Sequence, residues 1–538
     1  MSESLDVLPS SWASTTIEEL FAPLEDGRTL HQGWSPQCEK IPSPSHDVWG
    51  VLRTTAIQAG AFLPEHNKLL PAKLTPRPLI EVRAGDLLIT CAGPRVRCGV
   101  ACLVRTTRRR LMMSGKMYRF RMPENLVDPR YIEAYLQTSN ARDAIDRMKT
   151  GGSDSGLNLT HDRFRRLPVP LAPFEMQQRV VAEIDKQFTR LDAAIAALKR
   201  VQAGLKRYRA AVLNAACEGC LVPNEAKLAR KDGRGYETGE LLLARILRER
   251  RAQWKTGQLK KIRSFGKPIS GSKKNYKEPS ILDTSHLPKL PEGWMWAPLE
   301  ALLREPLRNG HSAKASNNGQ GVRTLTLTAV TEGSFTMENT KLTTAAVEKV
   351  RDLWLSPGDI LVERSNAPEL VGTAALFRGE AGFAIFPDLL IRVRLLSSVS
   401  ENYLEVWLRS PFARNYFKRS AQGISGSMPK IDQEIIERLP VPLPPCSEQV
   451  RIAEEVEMRE SVNQKLCEVL DSSLRHSDRL RKAILRRAFE GKLVPQDPND
   501  EPASALLERI RAERGLAVPK SKGRSFRAIP PTQTVCGK

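Results

Sequence analysis

The chain has 538 residues, room for three or four domains at roughly 150 residues each, and carries 83 Lys+Arg against 61 Asp+Glu for a net charge of +22. Its 41% hydrophobic content excludes wholesale disorder, no apolar run nears the roughly 18 residues needed to cross a bilayer, and the first eight residues lack the basic start of a secretion signal. Nine scattered cysteines read as reduced thiols in a cytoplasmic protein, and the basic excess makes a polyanion, nucleic acid first, the expected partner.

Residues 1–165 mix short apolar runs with Gly and Pro punctuation. Within them 83–90 reads as a turn feeding a buried strand and 129–148 as an amphipathic helix. Region 166–247 opens with Arg166-Leu167-Pro168-Val169-Pro170-Leu171, whose alternating prolines force an extended chain. A long helix over 175–216 follows. On it Ile184, Phe188, Leu191, Ile195, Leu198 and Leu205 step by threes and fours as a coiled-coil seam. Gln202 and Arg209 interrupt the seam, and Val201 and Tyr208 take over one position earlier. Gly219 is placed to cap the helix C-terminus.

Residues 248–289 hold a basic, Gly- and Ser-rich run expected to be a flexible linker. After it the pattern repeats. The six residues 166–171 recur unchanged at 438–443, and Tyr131, Glu133 and Leu136 return as Tyr403, Glu405 and Leu408. Glu218-Gly219 with Leu221-Val222-Pro223 returns as Glu490-Gly491 with Leu493-Val494-Pro495. The chain is read as a tandem duplication. Its second copy has a globular region 290–437 and a helical region 438–515, then a disordered basic tail over 516–538. The second long helix, 448–489, offers Val462, Leu466, Leu470, Leu474, Leu480 and Ile484 as its seam. Neither stripe can be buried alone, so the helices are expected to pair. The expected fold is α+β: two mixed α/β domains joined by two long helices in an antiparallel coiled coil, each rod roughly 63 Å long.

Arginines 105, 108, 109, 110, 119 and 121 alternate with Leu, Met, Tyr and Phe and form a candidate basic row facing phosphates. No ATP-binding Gly-rich loop and no Asn/Asp-Pro-Pro-aromatic methylation motif is present. Cys217 and Cys220 have metal spacing, but the second copy puts Phe489 and Lys492 there. Asp359 with Glu363 resembles a nuclease carboxylate pair, yet the equivalent of Glu363 is Thr90. The chain is read as having no catalytic and no metal site of its own.

In their combined order the Leu-Pro-Val-Pro-Leu entry, the Gln-Gln or Glu-Gln step, the long helix and the Glu-Gly-x-Leu-Val-Pro exit resemble the specificity subunit of a type I restriction-modification system. The resemblance covers the chain to about residue 515. Copy one departs from it at Met176, which stands where copy two has Glu448. The resemblance implies two target recognition domains, each reading one half of a split, asymmetric double-stranded DNA site. It implies paired helices that set the spacer and dock two methyltransferase subunits, with restriction subunits joining them. S-adenosylmethionine, ATP and Mg are then expected in the partners, with no cofactor on this chain. By the family pattern the DNA-facing residues are Thr90, Arg95, Arg97, Lys149, Ser153, Ser155 and Asn158 in copy one. In copy two they are Arg364, Ser365, Asn366, Lys418, Ser425, Ser427 and Lys430. Arg364 and Asn366 are favoured because Arg offers a fork to guanine and Asn one to adenine. The rival reading is a non-catalytic basic scaffold or RNA-binding protein with duplicated partner-binding domains.

Overall fold

Proline has no N–H, so each Leu-Pro-Val-Pro-Leu run can enter a sheet only where its nitrogens are not needed. In the computed structural model, which describes residues 8–265, 276–316, 319–331, 333–423 and 428–517, each run pairs with the start of its own unit. Pro168–Leu171 runs antiparallel to Ala13–Thr16, and Pro440–Leu443 to Met295–Pro298. Ring donors take the carbonyls left over. The Tyr131 and Tyr403 hydroxyls donate to the Pro170 and Pro442 carbonyls at 2.8 Å each. Tyr135 and Trp407 serve Pro168 and Pro440 at 2.5 and 3.0 Å.

The chain divides into two units, Met1–Leu198 with Ser472–Lys538, and Lys199–Asp471. Both mix helix and strand. Each holds a four-stranded antiparallel sheet: in the first unit His31–Gln32, Met117–Phe120, β1 (Leu87–Thr90) and Ala101–Leu103, and in the second Arg308–Asn309, Leu390–Val393, β2 (Ile360–Glu363) and Ala374–Leu376. Asp86 and Asp359 sit buried at the strand entrances, as the sequence suggested. Asp86 accepts the Arg83 N–H at 2.7 Å and pairs with Arg121 at 2.6 Å. Asp359 accepts the Ser356 N–H at 2.9 Å and pairs with Arg394 at 2.5 Å. That engagement ties Asp359 into the strand entrance.

The helices expected over 129–148 and its repeat are each broken in two: Pro129–Leu136 with Ser139–Met148, and Glu401–Leu408 with Pro411–Ser420. The breaks are N-caps. Thr138 and Ser410 accept the N–H groups of Ala141 and Ala413 at 3.1 and 3.2 Å, and Pro411 cannot prolong the preceding turn. The Gln of the sequence step is a buried clamp. Gln177 accepts the Asp128 N–H at 3.0 Å and donates to the Ala172 carbonyl at 2.9 Å. Gln449 does the same between Ser400 and Pro444, both at 3.0 Å.

The long helices are α1 (Phe174–Cys217) and α2 (Cys446–Phe489), ended by Gly219 and Gly491 at φ 67° and 70°. In the first unit Ile184 and Leu191 are buried, Phe188 lies half-buried under the Arg481 guanidinium at 4.2 Å, and Ile484 is buried from the α2 side. In the second unit the seam differs from the sequence reading. Gln202 and Arg209 keep the three-four spacing and face α2, bonding Asp471 at 3.2 Å and Glu460 at 3.1 Å. Asn463 donates to the Leu205 carbonyl at 3.2 Å. Partner numbers fall on α2 as they rise on α1, so these segments run antiparallel. Val462 and Leu466, expected in the seam, are 55% and 47% exposed. Spacing, not hydrophobicity, decided which face turned inward. Leu470 is buried, and Ile195, Leu198 and Leu474 are half-buried.

The expected linker from residue 248 opens instead inside a helix, Gly239–Phe265. Leu242 and Ile246 bury one face of that helix in the second unit's core, and strong helix formers carry it onward. Of the expected tail, residues 518–538 lie outside the described residues. No helix among the described residues is long and apolar enough to cross a membrane.

The departure at Met176 has a packing account. Glu448, fully buried, accepts the Trp294 Nε1–H at 3.0 Å and the Glu225 N–H at 2.9 Å, and burial raises its pKa. In the first unit Met176 is buried, and Trp12 donates to Gln496 at 3.1 Å instead. Glu448→Met should strand two buried donors and cost the second unit about 2–4 kcal/mol in urea unfolding; a loss under about 1 kcal/mol would contradict this account.

Candidate nucleic-acid interface

β1 and β2 each end in a loop built on the same backbone frame. Gly99 N–H bonds the Thr90 carbonyl at 2.7 Å and Gly372 N–H the Glu363 carbonyl at 2.8 Å. Thr90 N–H reaches Val100 at 2.9 Å and Glu363 N–H reaches Thr373 at 2.8 Å. Inside the loops Cys98 N–H bonds the Pro94 carbonyl at 2.9 Å and Val371 N–H the Ala367 carbonyl at 3.0 Å. Gly99 and Gly372 have φ of 88° and 74°, which residues with a side chain rarely adopt. A second segment lies along each loop: Ala92–Gly93 pairs with Leu157–Asn158, and Ser365 bridges Lys430. The structure thus brings together, within each unit, the two segments that the sequence reading had chosen.

The side chains on the two frames differ. In the first unit three of the seven predicted contacts, Thr90, Arg97 and Lys149, turn inward, and a fourth, Arg95, is held in an ion pair. Thr90 is fully buried, and its hydroxyl donates to the Arg97 and Val100 carbonyls. Arg97 donates to the Thr54 carbonyl, the Ile57 carbonyl at 2.7 Å and Gln58 Oε1 at 3.2 Å. The Lys149 side chain is buried, bonded to Asp146 and, at 3.0 Å, to the Arg95 carbonyl. Arg95 is half-exposed but paired with Asp154 at 2.9 Å. These groups build the loop; they do not offer free contacts. Ser153, Ser155 and Asn158 are exposed, the two serines 3.0 Å apart.

In the second unit Arg364 is partly exposed, and its guanidinium has no hydrogen-bond or ion-pair partner among the described residues. Lys418 and Lys430 are exposed. Ser365 is buried. Asn366 is committed, donating to Glu363 at 3.0 Å and accepting the Ala367 N–H at 2.8 Å, so its fork is not free for adenine. Ser425 and Ser427 lie outside the described residues. Two exposed side chains at the loop tips, Val96 and Glu369, escaped the sequence reading.

The expected basic row is not a row. Arg119 is buried against Asp86 and Glu25, Arg121 pairs with Asp86, and Arg105 pairs with Glu133 at 2.7 Å. Arg108 donates to the Ser45 and Val48 carbonyls at 3.0 and 3.2 Å, and Arg110 to the Asp47 carbonyl. Buried acids and carbonyls on neighbouring segments claim these cations, which leaves Arg109 exposed and unpaired among the described residues. No cluster of three or more metal-ligating side chains occurs among the described residues.

Glu363, fully buried, accepts bonds from Thr331 at 2.7 Å and Asn366. Burial raises its pKa above the ordinary 4.5, against the pull of Thr331, Asn366 and Arg414. The folded chain therefore holds this proton more tightly than the unfolded chain, and that contribution to stability is lost as pH rises through the raised value. Glu363→Gln should remove it, so the variant's melting temperature falls less than the parent's from about pH 4.5 to 7; parallel curves would refute the assignment.

No family model matches the chain. A type I restriction enzyme specificity subunit of Escherichia coli, EcoEI, is 37% identical over 195 residues, which are 36% of this chain and 32% of that protein. The aligned stretch thus spans about a third of that relative. The EcoKI specificity subunit of Escherichia coli K12 is 25% identical over 536 residues, 96% of this chain and 98% of its own. A chain solved in work on complex assembly and conformational transition of the type I R-M system shares the fold, with a TM-score of 0.57, 18% identity, and coverage of 90% of this chain and 100% of that one. The chain is thus similar in sequence, along nearly its whole length, to a type I restriction enzyme specificity subunit, and in fold to a chain of a type I R-M system.

Proposed function

We propose that the chain is the sequence-specific DNA-recognition subunit of a type I restriction-modification complex. Residues 1–165 and 290–437 act as target recognition domains, each reading one half of a bipartite, asymmetric site. The observation that carries this reading is the pair of loops: one backbone frame, repeated, bearing different side chains. Duplication with such divergence suits a protein that must hold two readers alike and have them read unlike sequences.

α1 and α2 act as an antiparallel coiled-coil spacer and as the docking surface for two methyltransferase subunits. Their second-unit segments support the docking role. Val201, Tyr208, Met458, Val462 and Leu466 are all exposed, an apolar patch that costs solubility unless a partner covers it. Catalysis, with S-adenosylmethionine, ATP and Mg, belongs to the methyltransferase and restriction partners, and the complex works in the cytoplasm.

The test is to express the chain with a type I methyltransferase subunit and sequence the methylated DNA. Methylation at one bipartite motif is expected; RNA binding without such a motif would favour the scaffold reading. Arg364→Ala should relax one base pair in one half-site, at about 1–3 kcal/mol, and an unchanged motif at unchanged affinity would remove Arg364 as a reader. Arg109→Ala should weaken binding to all sequences and lower the slope of log affinity against log salt by about 1. An unaltered slope would take Arg109 off the DNA.

A further inference from the structure

We propose that Val96 and Glu369, the tip residues of the two loops, are specificity-determining: Val96 meets the C5 methyl of a thymine and Glu369 accepts the N4 amino group of a cytosine. This rests on the reading of the loops as DNA-facing and adds which residues read and what they read. The two positions are equivalent on the frame. Each lies two residues after the carbonyl that closes the loop, Pro94 or Ala367, and three before the positive-φ glycine, Gly99 or Gly372.

Both side chains are exposed, Val96 at 82%, and neither has a hydrogen-bond or ion-pair partner among the described residues. In the first unit the surrounding bonds hold the tip still. Thr90 and Val100 fix the base of the loop, Arg97 is anchored to residues 54–58, and Lys149 and Asp154 hold Arg95 on either side. A rigid turn that ties its cations to acids and carbonyls and directs one β-branched apolar group outward has spent its ordering entropy before binding. In the major groove the thymine methyl is the apolar feature such a group can meet.

Glu369 needs a different base. A carboxylate beside phosphates is repelled, and an exocyclic amino group compensates by donating to it. In the major groove the amino donors are adenine N6 and cytosine N4; adenine sets its N7 acceptor beside the amino group, which repels a carboxylate, so cytosine N4 is the donor that suits Glu. The Arg414 guanidinium donates to the backbone carbonyl of Glu369 at 2.7 Å. That bond fixes the tip while leaving the carboxylate free.

The experiment uses the full chain with its methyltransferase partner and duplexes carrying the motif defined by methylation sequencing. Each thymine of the motif is replaced in turn by deoxyuridine, which removes only the methyl. One replacement should weaken parent binding about fourfold, the worth of one buried methyl, and should leave Val96→Ala unaffected. Glu369→Gln should lose about tenfold in preference for cytosine at one position of the other half-site. Both variants should unfold at the parent's temperature.

If the parent methylates no bipartite motif, the functional reading itself fails. If the motif exists but no uracil substitution separates parent from Val96→Ala, the tip assignment is overturned for Val96. If Glu369→Gln raises affinity for all duplexes equally with the motif unchanged, its carboxylate only repels phosphate and its assignment falls. A lowered unfolding temperature would make the tip structural and overturn the proposal for that residue.

Discussion

Everything the two units present to a partner is levered from the Leu-Pro-Val-Pro-Leu strands. Such a strand lacks two N–H donors within four residues, so backbone pairing alone cannot satisfy its surroundings. The chain answers with one antiparallel neighbour from the start of each unit and with aromatic donors from the helix behind: Tyr131 and Tyr135 in the first unit, Tyr403 and Trp407 in the second. One residue set therefore locks the first strand, the helix after the sheet and the entry to the long helix. Gln177 and Gln449 then tie the first turns of α1 and α2 to the same corner. A loop carried by β1 or β2 inherits that rigidity, because the sheet packs on the helix that supplies the aromatic donors.

This corner was legible in the sequence for a physical reason. Its parts are local or short-spaced: alternating prolines, a Gln at a fixed step after them, a Glu-Gly pair that stops a helix. The strand entrances at Asp86 and Asp359 were legible too, since Gly-Asp before an apolar run has few other uses. The breaks at Thr138 and Ser410 were missed because a capping hydroxyl inside an amphipathic pattern looks like another polar position on the solvent face.

The two segments chosen in each unit do pair, so the sequence singled out one neighbourhood in each unit, but not which of its side chains are free. The direction of each cation was not visible, because it depends on acids and carbonyls far away in sequence. Arg97 is claimed by residues 54–58, Arg119 by Asp86 and Glu25, and Arg108 by residues 45–48. A basic row read from one stretch of sequence assumes that its neighbours are neutral, and here they are not. The tip residues were passed over for the opposite reason. A lone valine between Arg95 and Arg97, or a lone glutamate between Pro368 and Leu370, carries no motif, and only the frame around the two shows that their positions are equivalent.

The helix pair shows the same logic of spacing over polarity. A seam judged by apolar residues selected Val201, Tyr208, Val462 and Leu466, and the second-unit segments expose all four. The helices keep their three-four register through Gln202, Arg209 and Asn463, and each of these finds a partner across the seam. Shifting the register by one residue would bury more apolar surface locally, but it would break the seam further along the same unit, where Val212, Leu213, Ile452 and Val456 are already buried together. The polar interior pins one register, as buried polar groups do in paired helices. The displaced apolar residues then lie outward, where a partner helix can cover them. Such a stripe is what the proposed docking role requires, because exposed apolar surface of this kind is kept where a partner covers it.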